Sequence, residues 1–449
     1  MDKSMSQPLP AEVAPQDDSS LCVAQAAWHG LFWLSVANAI GVGLAALLLI
    51  PALNPILGEW TYGRWMMVHM NLELYGWTSM PLLGLLFRVY GADRGPAAPW
   101  RRPVLWLWSA ALGAGALSWL AGHSSGKLFL DWSGFMRVFF PASLFALWLL
   151  LLAAFLAGRN SSENSSFWAK AGKLGGLVLL LAVPFAMYVA ANPAVYPAIN
   201  PDSGGPTGTS QLESSLVIVA ILLVLPLGIA RRKTAAAKAV AAAWMALAAE
   251  SVLCASLSRA DVSHRLPVQY LSLATLFVWL PLVPFYYSAF VWHANTRRWR
   301  LAFLWWWALL VVTGWIIFLP GVLDRFKFTD GLVGHSFIAM GGFTSSFLIF
   351  VVVQVLGEDG WIFNGTKSFF LWHASAFAYA ALMTAAGWIE GADPGFTIIA
   401  GPLRNLIYIL RLMAGLGMLL AGVDWLADAT RLLRQPASPA MENLQEKTA

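Results

Sequence analysis

The chain has 449 residues, 59% of them hydrophobic and only 11% charged, with 24 tryptophans and a formal charge of +5. A soluble domain carries about 25% charged residues, so this balance excludes an ordinary soluble protein and places the chain among polytopic membrane proteins. The positive excess is then a matter of membrane topology and not a nucleic-acid signal. The two cysteines, Cys22 and Cys254, are too far apart in sequence to suggest a disulfide framework or a paired-cysteine metal site.

Residues 1–26 are polar and proline-containing, and lack the basic start and short apolar core of a signal peptide. They read as a retained, disordered cytoplasmic tail. A bilayer core needs about 20 apolar residues per helix. Twelve such stretches follow, at 27–51, 65–89, 104–121, 136–158, 171–191, 212–230, 235–257, 266–293, 300–320, 331–357, 367–391 and 403–427. They predict an all-α, twelve-helix transmembrane domain over 27–430, followed by a second polar cytoplasmic tail at 431–449. Strand-like alternation is absent, which argues against a β-barrel. With the N-terminus inside, fifteen Lys and Arg fall in inner connections and eight in outer ones. That bias predicts both termini in the cytoplasm of a bacterial-type inner membrane. No internal repeat is evident.

Within the spans the polar residues are few. "YGRWMMVHMNLELYGW", residues 62–77, sets His69 and Glu73 one helical turn apart. An ionisable group in hydrocarbon costs roughly 2.5–3.5 kcal/mol on insertion scales, so it needs a partner and a role. Of seven histidines, His29, His293 and His373 fall at inner span ends and His123 and His264 in outer loops; only His69 and His335 lie properly inside. Spans 2 and 10 run in the same direction. His69 follows Arg64 by five residues and His335 follows Asp330 by five. At about 1.5 Å per residue, each imidazole lies about 7 Å below the outer boundary. Two histidines at one depth on parallel helices can hold a planar macrocycle edge-on, and haem iron takes neutral imidazole as an axial ligand. The plain alternative is a hydrogen bond across a helix interface, worth about 0.6 kcal/mol.

Glu73 reads either as a group that orients a ligand or carries protons, or as a carboxylate bonded to a neighbouring helix. Glu250, in "WMALAAESVLC", has the same two readings. Arg411, about two turns into the last span, reads as a partner for haem propionates or as a side chain that snorkels outward. The tryptophans are expected as interface anchors and packing.

"YGRWMMVHMNLELYGW" resembles the second helix of haem-copper oxidase subunit I, where a GR…H-x-N…GW pattern carries a low-spin haem ligand. "LPVQYLSLATLFVWLPLVPFY" is similar to the eighth helix of that family. "FTDGLVGHSFIAMGGF" is similar to the tenth, with its T-D-x-x-x-G-H-x-H pattern. "AAGWIEGADPGF" and "RNLIYILRLMAGLGMLLAG" resemble the eleventh and twelfth. The resemblance covers nearly the whole chain and is nearest to the C-type oxidases and their nitric oxide reductase relatives. It implies a b-type haem near the outer face, with His69 as ligand, in a respiratory electron-transfer assembly. It also implies a c-type cytochrome as partner, because the chain itself has no C-x-x-C-H motif. Whether the chain is itself an oxidoreductase stays open.

The departures are equally informative. In the family, histidines on helices six and seven bind copper; here spans 6 and 7 have none. Ser258 and Arg259 stand where the paired histidines would be, and His264 is in a loop. Glu250 and Cys254, at i and i+4, are the remaining ligand option. No copper is therefore expected. On the tenth helix, the ungapped register makes His335 the high-spin ligand and puts Phe337 in place of the partner of His69. Two residues on a helix turn about 200°, so His335 cannot serve both faces. An alternative register, reading "HSFIAMG" as H-x-x-x-x-M-G, restores a bis-histidine haem between His69 and His335 and leaves Val333 at the high-spin position. The sequence leaves both registers open. Two other readings stand beside these: a haem-free structural subunit that keeps the scaffold, and a twelve-span transporter. The transporter predicts matched halves with broken helices, and no such pair is visible.

Overall fold

A computed structural model describes residues 18–127, 129–158, 167–199, 201, 212–257 and 266–434. Ser258, Arg259 and His264 lie outside the described residues. The helical rods, in chain order, are α1 (Asp18–Leu49), α2 (62–90), α3 (Arg101–Leu120), α4 (Met136–Gly158), α5 (Phe167–Ala190) and α6 (Leu212–Ile229). They continue with α7 (Ala237–Leu257), α8 (Pro267–Ser288), α9 (Arg297–Ile317), α10 (Asp330–Leu356), α11 (Thr366–Glu390) and α12 (Pro402–Arg434). A two-stranded pairing of Arg231–Arg232 with Phe290–Val291 ties the end of α6 to that of α8. Helix α1 begins at Asp18, inside the stretch expected as tail, and α12 runs to Arg434.

Ten of these helices are long and apolar enough to cross a membrane. The expected twelve spans would add α2 and α6. Helix α2 breaks at Thr78–Ser79, and the apolar part of α6 is the shorter Ser214–Ile229. The chain is thus an all-α, multi-pass membrane bundle. Helices α1 and α12 run antiparallel. Trp28 Nε1 donates to Thr430 Oγ1 at 2.9 Å at one end of α1 and α12, and Arg404 Nη2 donates to the Leu48 carbonyl at 2.7 Å at the other. The two described chain ends therefore emerge at the same end of the bundle.

Local sequence explains the boundaries that matter for the site. At the start of α10, the Thr329 side chain accepts from Gly331 N at 3.1 Å, satisfying one of the orphan amides of a helix N-terminus. At the end of α2, Gly91 takes φ +76° and Ala92 N reaches back to the Phe87 carbonyl at 2.7 Å, a left-handed helix stop open to glycine. Both α2 and α10 contain a π-helical stretch, Leu72–Trp77 and Ile338–Thr344. The two stretches are joined: Trp77 Nε1 donates to Ser345 Oγ at 2.8 Å, with both residues buried.

Two apolar cores share α1. One gathers α6 to α12 around Trp279, Trp299, Trp306 and Trp425, all fully buried. The other joins α2 to α5 around Trp119, Trp132 and Phe140, with Trp132 stacked on Phe140 at 4.0 Å. Much of the tryptophan content is thus core rather than interface anchor.

Outside the spans, Lys127 is buried in the α3–α4 loop and caps the end of α5, its Nζ donating to the Ala190 and Ala191 carbonyls at 2.9 Å each. Burial pushes the Lys127 ammonium below its ordinary range, and the nearby Asp131 carboxylate offsets part of that.

Helices α10 and α11 approach so closely that only glycine fits. A Cβ on Gly387 would stand 1.9 Å from Gly331 N, and one on Gly334 2.6 Å from Thr384 Oγ1. Small residues let backbones meet where lipid offers no hydrophobic drive between helices. Gly387→Ala is therefore expected to lower the thermal unfolding midpoint of the detergent-solubilised protein well below that of Gly43→Ala, where an added Cβ meets nothing within 4 Å. Equal midpoints for the two variants would contradict this packing.

Candidate functional site

His69 lies on the last turn of α2 before its π-helical stretch and presses against α1. Its Nδ1 is 2.8 Å from the Ala37 carbonyl, and a Cβ on Gly41 would fall 2.8 Å from its Cε1. A carbonyl can only accept, so Nδ1 carries the proton and Nε2 keeps its lone pair. His335 occupies the corresponding place on α10 but faces α9. Its Nδ1 is 3.2 Å from Thr313 Oγ1, and its ring packs against Gly314. With the Thr313 hydroxyl donating to the Leu309 carbonyl at 2.7 Å, it accepts from the His335 tautomer protonated at Nδ1, which leaves Nε2 free. A metal-ligating histidine is held in this way, one ring nitrogen donating to a protein oxygen and the other left for the ion.

His373, on α11, is the contrast. Its Nδ1 accepts from the Trp306 indole at 3.1 Å, so Nε2 bears the proton and has no partner among the described residues. Neither nitrogen is left to ligate. His29 is hydrogen-bonded at 2.8 Å to Ser109, which also accepts from Trp33.

His69 and His335 each precede a π-helical stretch by three residues. π-turns occur often at functional sites, because the widened turn re-aims the side chains around it. The hydrogen-bond partners of the two imidazoles nevertheless lie on different helices, α1 and α9. The residue that α10 turns toward α11 is Phe337, whose ring lies 4.2 Å from that of Tyr379.

At the end of the bundle opposite the chain termini, a polar cluster closes this region. Arg411, buried on α12, donates from Nη1 to Asp330 Oδ1 at 3.3 Å and from Nε to the Tyr379 hydroxyl at 3.1 Å. Tyr408 donates to Asp330 Oδ2 at 3.4 Å, and the Asp330 amide donates to Glu390 Oε2 at 2.8 Å. The Tyr408 ring is flanked by the guanidinium groups of Arg404 and Arg411, at 4.5 and 5.8 Å. Tyr62 and Glu73 of α2 are within electrostatic reach, Tyr62 of Arg411 and Asp330, and Glu73 of His69 and Tyr379. Arg411 thus neither snorkels nor stands unpaired. Its charge is matched inside the bundle.

Glu250 lies elsewhere. On α7 it is buried and accepts from the Thr275 hydroxyl and from Trp279 Nε1, both in α8. It is bonded to a neighbouring helix, away from His69 and Glu73. Among the described residues no group of three or more His, Cys, Asp or Glu is placed to hold a metal ion.

No family model matches the chain, and no curated protein matches its sequence. Among solved structures, it is similar to one described as a heme-copper terminal oxidase dimer. The TM-score is 0.48 and the identity 12%, over 92% of this chain and 84% of that one. A similarity of that depth says nothing by itself about ligands or activity.

Removing one partner from a buried ion pair leaves an uncompensated charge and costs about 3–5 kcal/mol, whereas replacing both with apolar groups is far cheaper. Asp330→Asn and Arg411→Gln are each expected to destabilise the solubilised protein by about that amount, and Asp330→Leu combined with Arg411→Met by much less. Additive losses in an unfolding titration would contradict the pairing.

Proposed function

We propose that the protein is a divergent haem-copper oxidase subunit I-like membrane protein that holds a b-type haem through Nε2 of His69 and passes electrons in a respiratory assembly, without a copper site. In this reading the chain crosses the bilayer twelve times, α2 and α6 included, with both termini in the cytoplasm of a bacterial-type inner membrane. The excess of Lys and Arg at the end where the termini emerge supports that orientation.

One observation carries the reading. The two histidines that the spans hold away from their inner ends both have Nδ1 engaged as donor and Nε2 free, each three residues before a π-turn. His373 differs: its lone pair is taken by the Trp306 indole, so its unpartnered nitrogen carries a proton and cannot ligate. Bound at His69, haem supplies a one-electron carrier whose potential follows the polarity around the iron. The chain's own part is to fix the ring through the Ala37 carbonyl, to bring Glu73 within electrostatic range and to set Arg411, Tyr379 and Tyr408 as a polar rim. His335, on a different face, is a separate ligand position rather than the second ligand to the same iron. A c-type cytochrome docking at the outer end is the proposed electron donor.

A haem-free scaffold is the second reading. It is favoured by Phe337 packed on Tyr379 and by an Arg411 already neutralised by Asp330.

A pyridine haemochrome assay on the purified protein separates the two. The expected result is a b-type spectrum that is lost in His69→Ala and retained in His373→Ala. A wild-type protein that folds normally and carries no haem would leave the scaffold reading.

A further inference from the structure

At the end where the chain termini emerge, the connection after α6, the end of α8 with the loop that follows it, and α9 frame a cavity of about 430 Å³. Lys233 and Arg300 line it together with Ser288, Trp292, Pro284 and Leu304, and no acidic side chain is among its lining residues. Lys233 is fixed in place: its backbone N donates to the Ala289 carbonyl at 2.9 Å and its Nζ to the Ser288 carbonyl at 2.8 Å. An ammonium has three protons, so two remain to be used. Arg300 stands over the Trp292 ring at 6.0 Å and makes no hydrogen bond or ion pair among the described residues. Its guanidinium is thus half-buried, oriented and without an anion.

The helices that carry this pair of cations also expose apolar side chains. Phe285 and Leu301, next in sequence to the lining residues Pro284 and Arg300, are 54% and 57% accessible, as expected of side chains that face lipid tails. Arg297 and Arg298 add positive charge in the first turn of α9, the end of a helix where cations are disfavoured. The cavity therefore joins two preorganised cations to an apolar wall at the membrane boundary.

We propose that this cavity binds an anionic glycerophospholipid. Lys233 and Arg300 hold the phosphate, and an acyl chain lies along Pro284, Leu304 and the exposed apolar side chains. Basic pockets between membrane helices take acidic headgroups on the same grounds. The proposal needs the membrane bundle but not the haem, and it holds or fails independently of His69.

The test uses the full chain in nanodiscs of equal phosphatidylglycerol and phosphatidylcholine, released for native mass spectrometry, with the retained lipids counted. Two cations near a surface favour an anionic lipid by about thirtyfold. The wild type is therefore expected to keep phosphatidylglycerol over phosphatidylcholine by about that factor, and Lys233→Gln/Arg300→Gln to keep both alike. Lys238→Gln, at the same end but outside the cavity, is expected to behave as the wild type. Equal retention of the two lipids by the wild type overturns the proposal without recourse to any variant, as does a preference that survives the double substitution. A thermal shift measured with inorganic phosphate distinguishes the source of the anion. Stabilisation by phosphate alone, with none from phosphatidylglycerol, would make this a soluble-anion site and also overturn the proposal.

Discussion

The buried bond from Trp77 to Ser345 is the constraint on which the rest of the arrangement depends. It joins the last residue of one π-helical stretch to the residue that follows the other, and Ser345 in turn donates to the Met340 carbonyl at 2.9 Å. An indole N–H left without an acceptor in a membrane interior costs about 1–3 kcal/mol, so the two rods are locked in depth relative to each other. His69 lies eight residues before Trp77 and His335 ten before Ser345. The π-turns then decide which way each helix faces below its histidine. One imidazole is held by a backbone carbonyl of α1 and the other by a hydroxyl of α9, so the two are engaged by different helices.

Several buried ions and strong polar groups of the bundle are answered by a named partner. Arg411 meets Asp330 and Tyr379, Arg404 meets the Leu48 carbonyl, and Lys127 meets the open end of α5. Glu250 is answered by Thr275 and Trp279. Hydrocarbon makes the alternative expensive. Nε2 of His69 and of His335 and the guanidinium of Arg300 have no partner among the described residues, and neither do buried atoms such as Nε2 of His373 and Nε1 of Trp425. In the proposed reading the histidine lone pairs are kept for a metal and the guanidinium for an anion at the membrane boundary.

The sequence made the helices legible because apolar length alone reveals a span. Ten of the expected twelve meet that demand, and α2 falls short because it breaks at Thr78–Ser79. The same polarity made His69 and Glu73 stand out, since a charge costs most where everything around it is apolar. The π-turns left no comparable trace. Nothing in "LELYGW" or "IAMGGFT" separates a π-turn from an α-turn, and the facing of His335 depends on that difference. The packing of Phe337 against Tyr379, 42 residues away in the chain, was unreadable for the same reason. Arg411 was visible as a membrane arginine. Its partner Asp330 was visible too, as part of T-D-x-x-x-G-H, but no periodicity links residues on α10 and α12. Cys22, Lys127 and the tryptophan core illustrate a further limit: burial in a lipid-facing protein cannot be told from composition when both surroundings are apolar.

The central claim is that Nε2 of His69 faces a haem iron within the bundle. A cryo-electron microscopy map of the full chain purified from its native membrane tests it most directly. The account requires planar density reaching Nε2 of His69 on the side of the ring away from Ala37, with the Trp77–Ser345 bond intact beneath it. Side chains closing continuously over Nε2, with no density between α2 and the Phe337–Tyr379 pair, would contradict it.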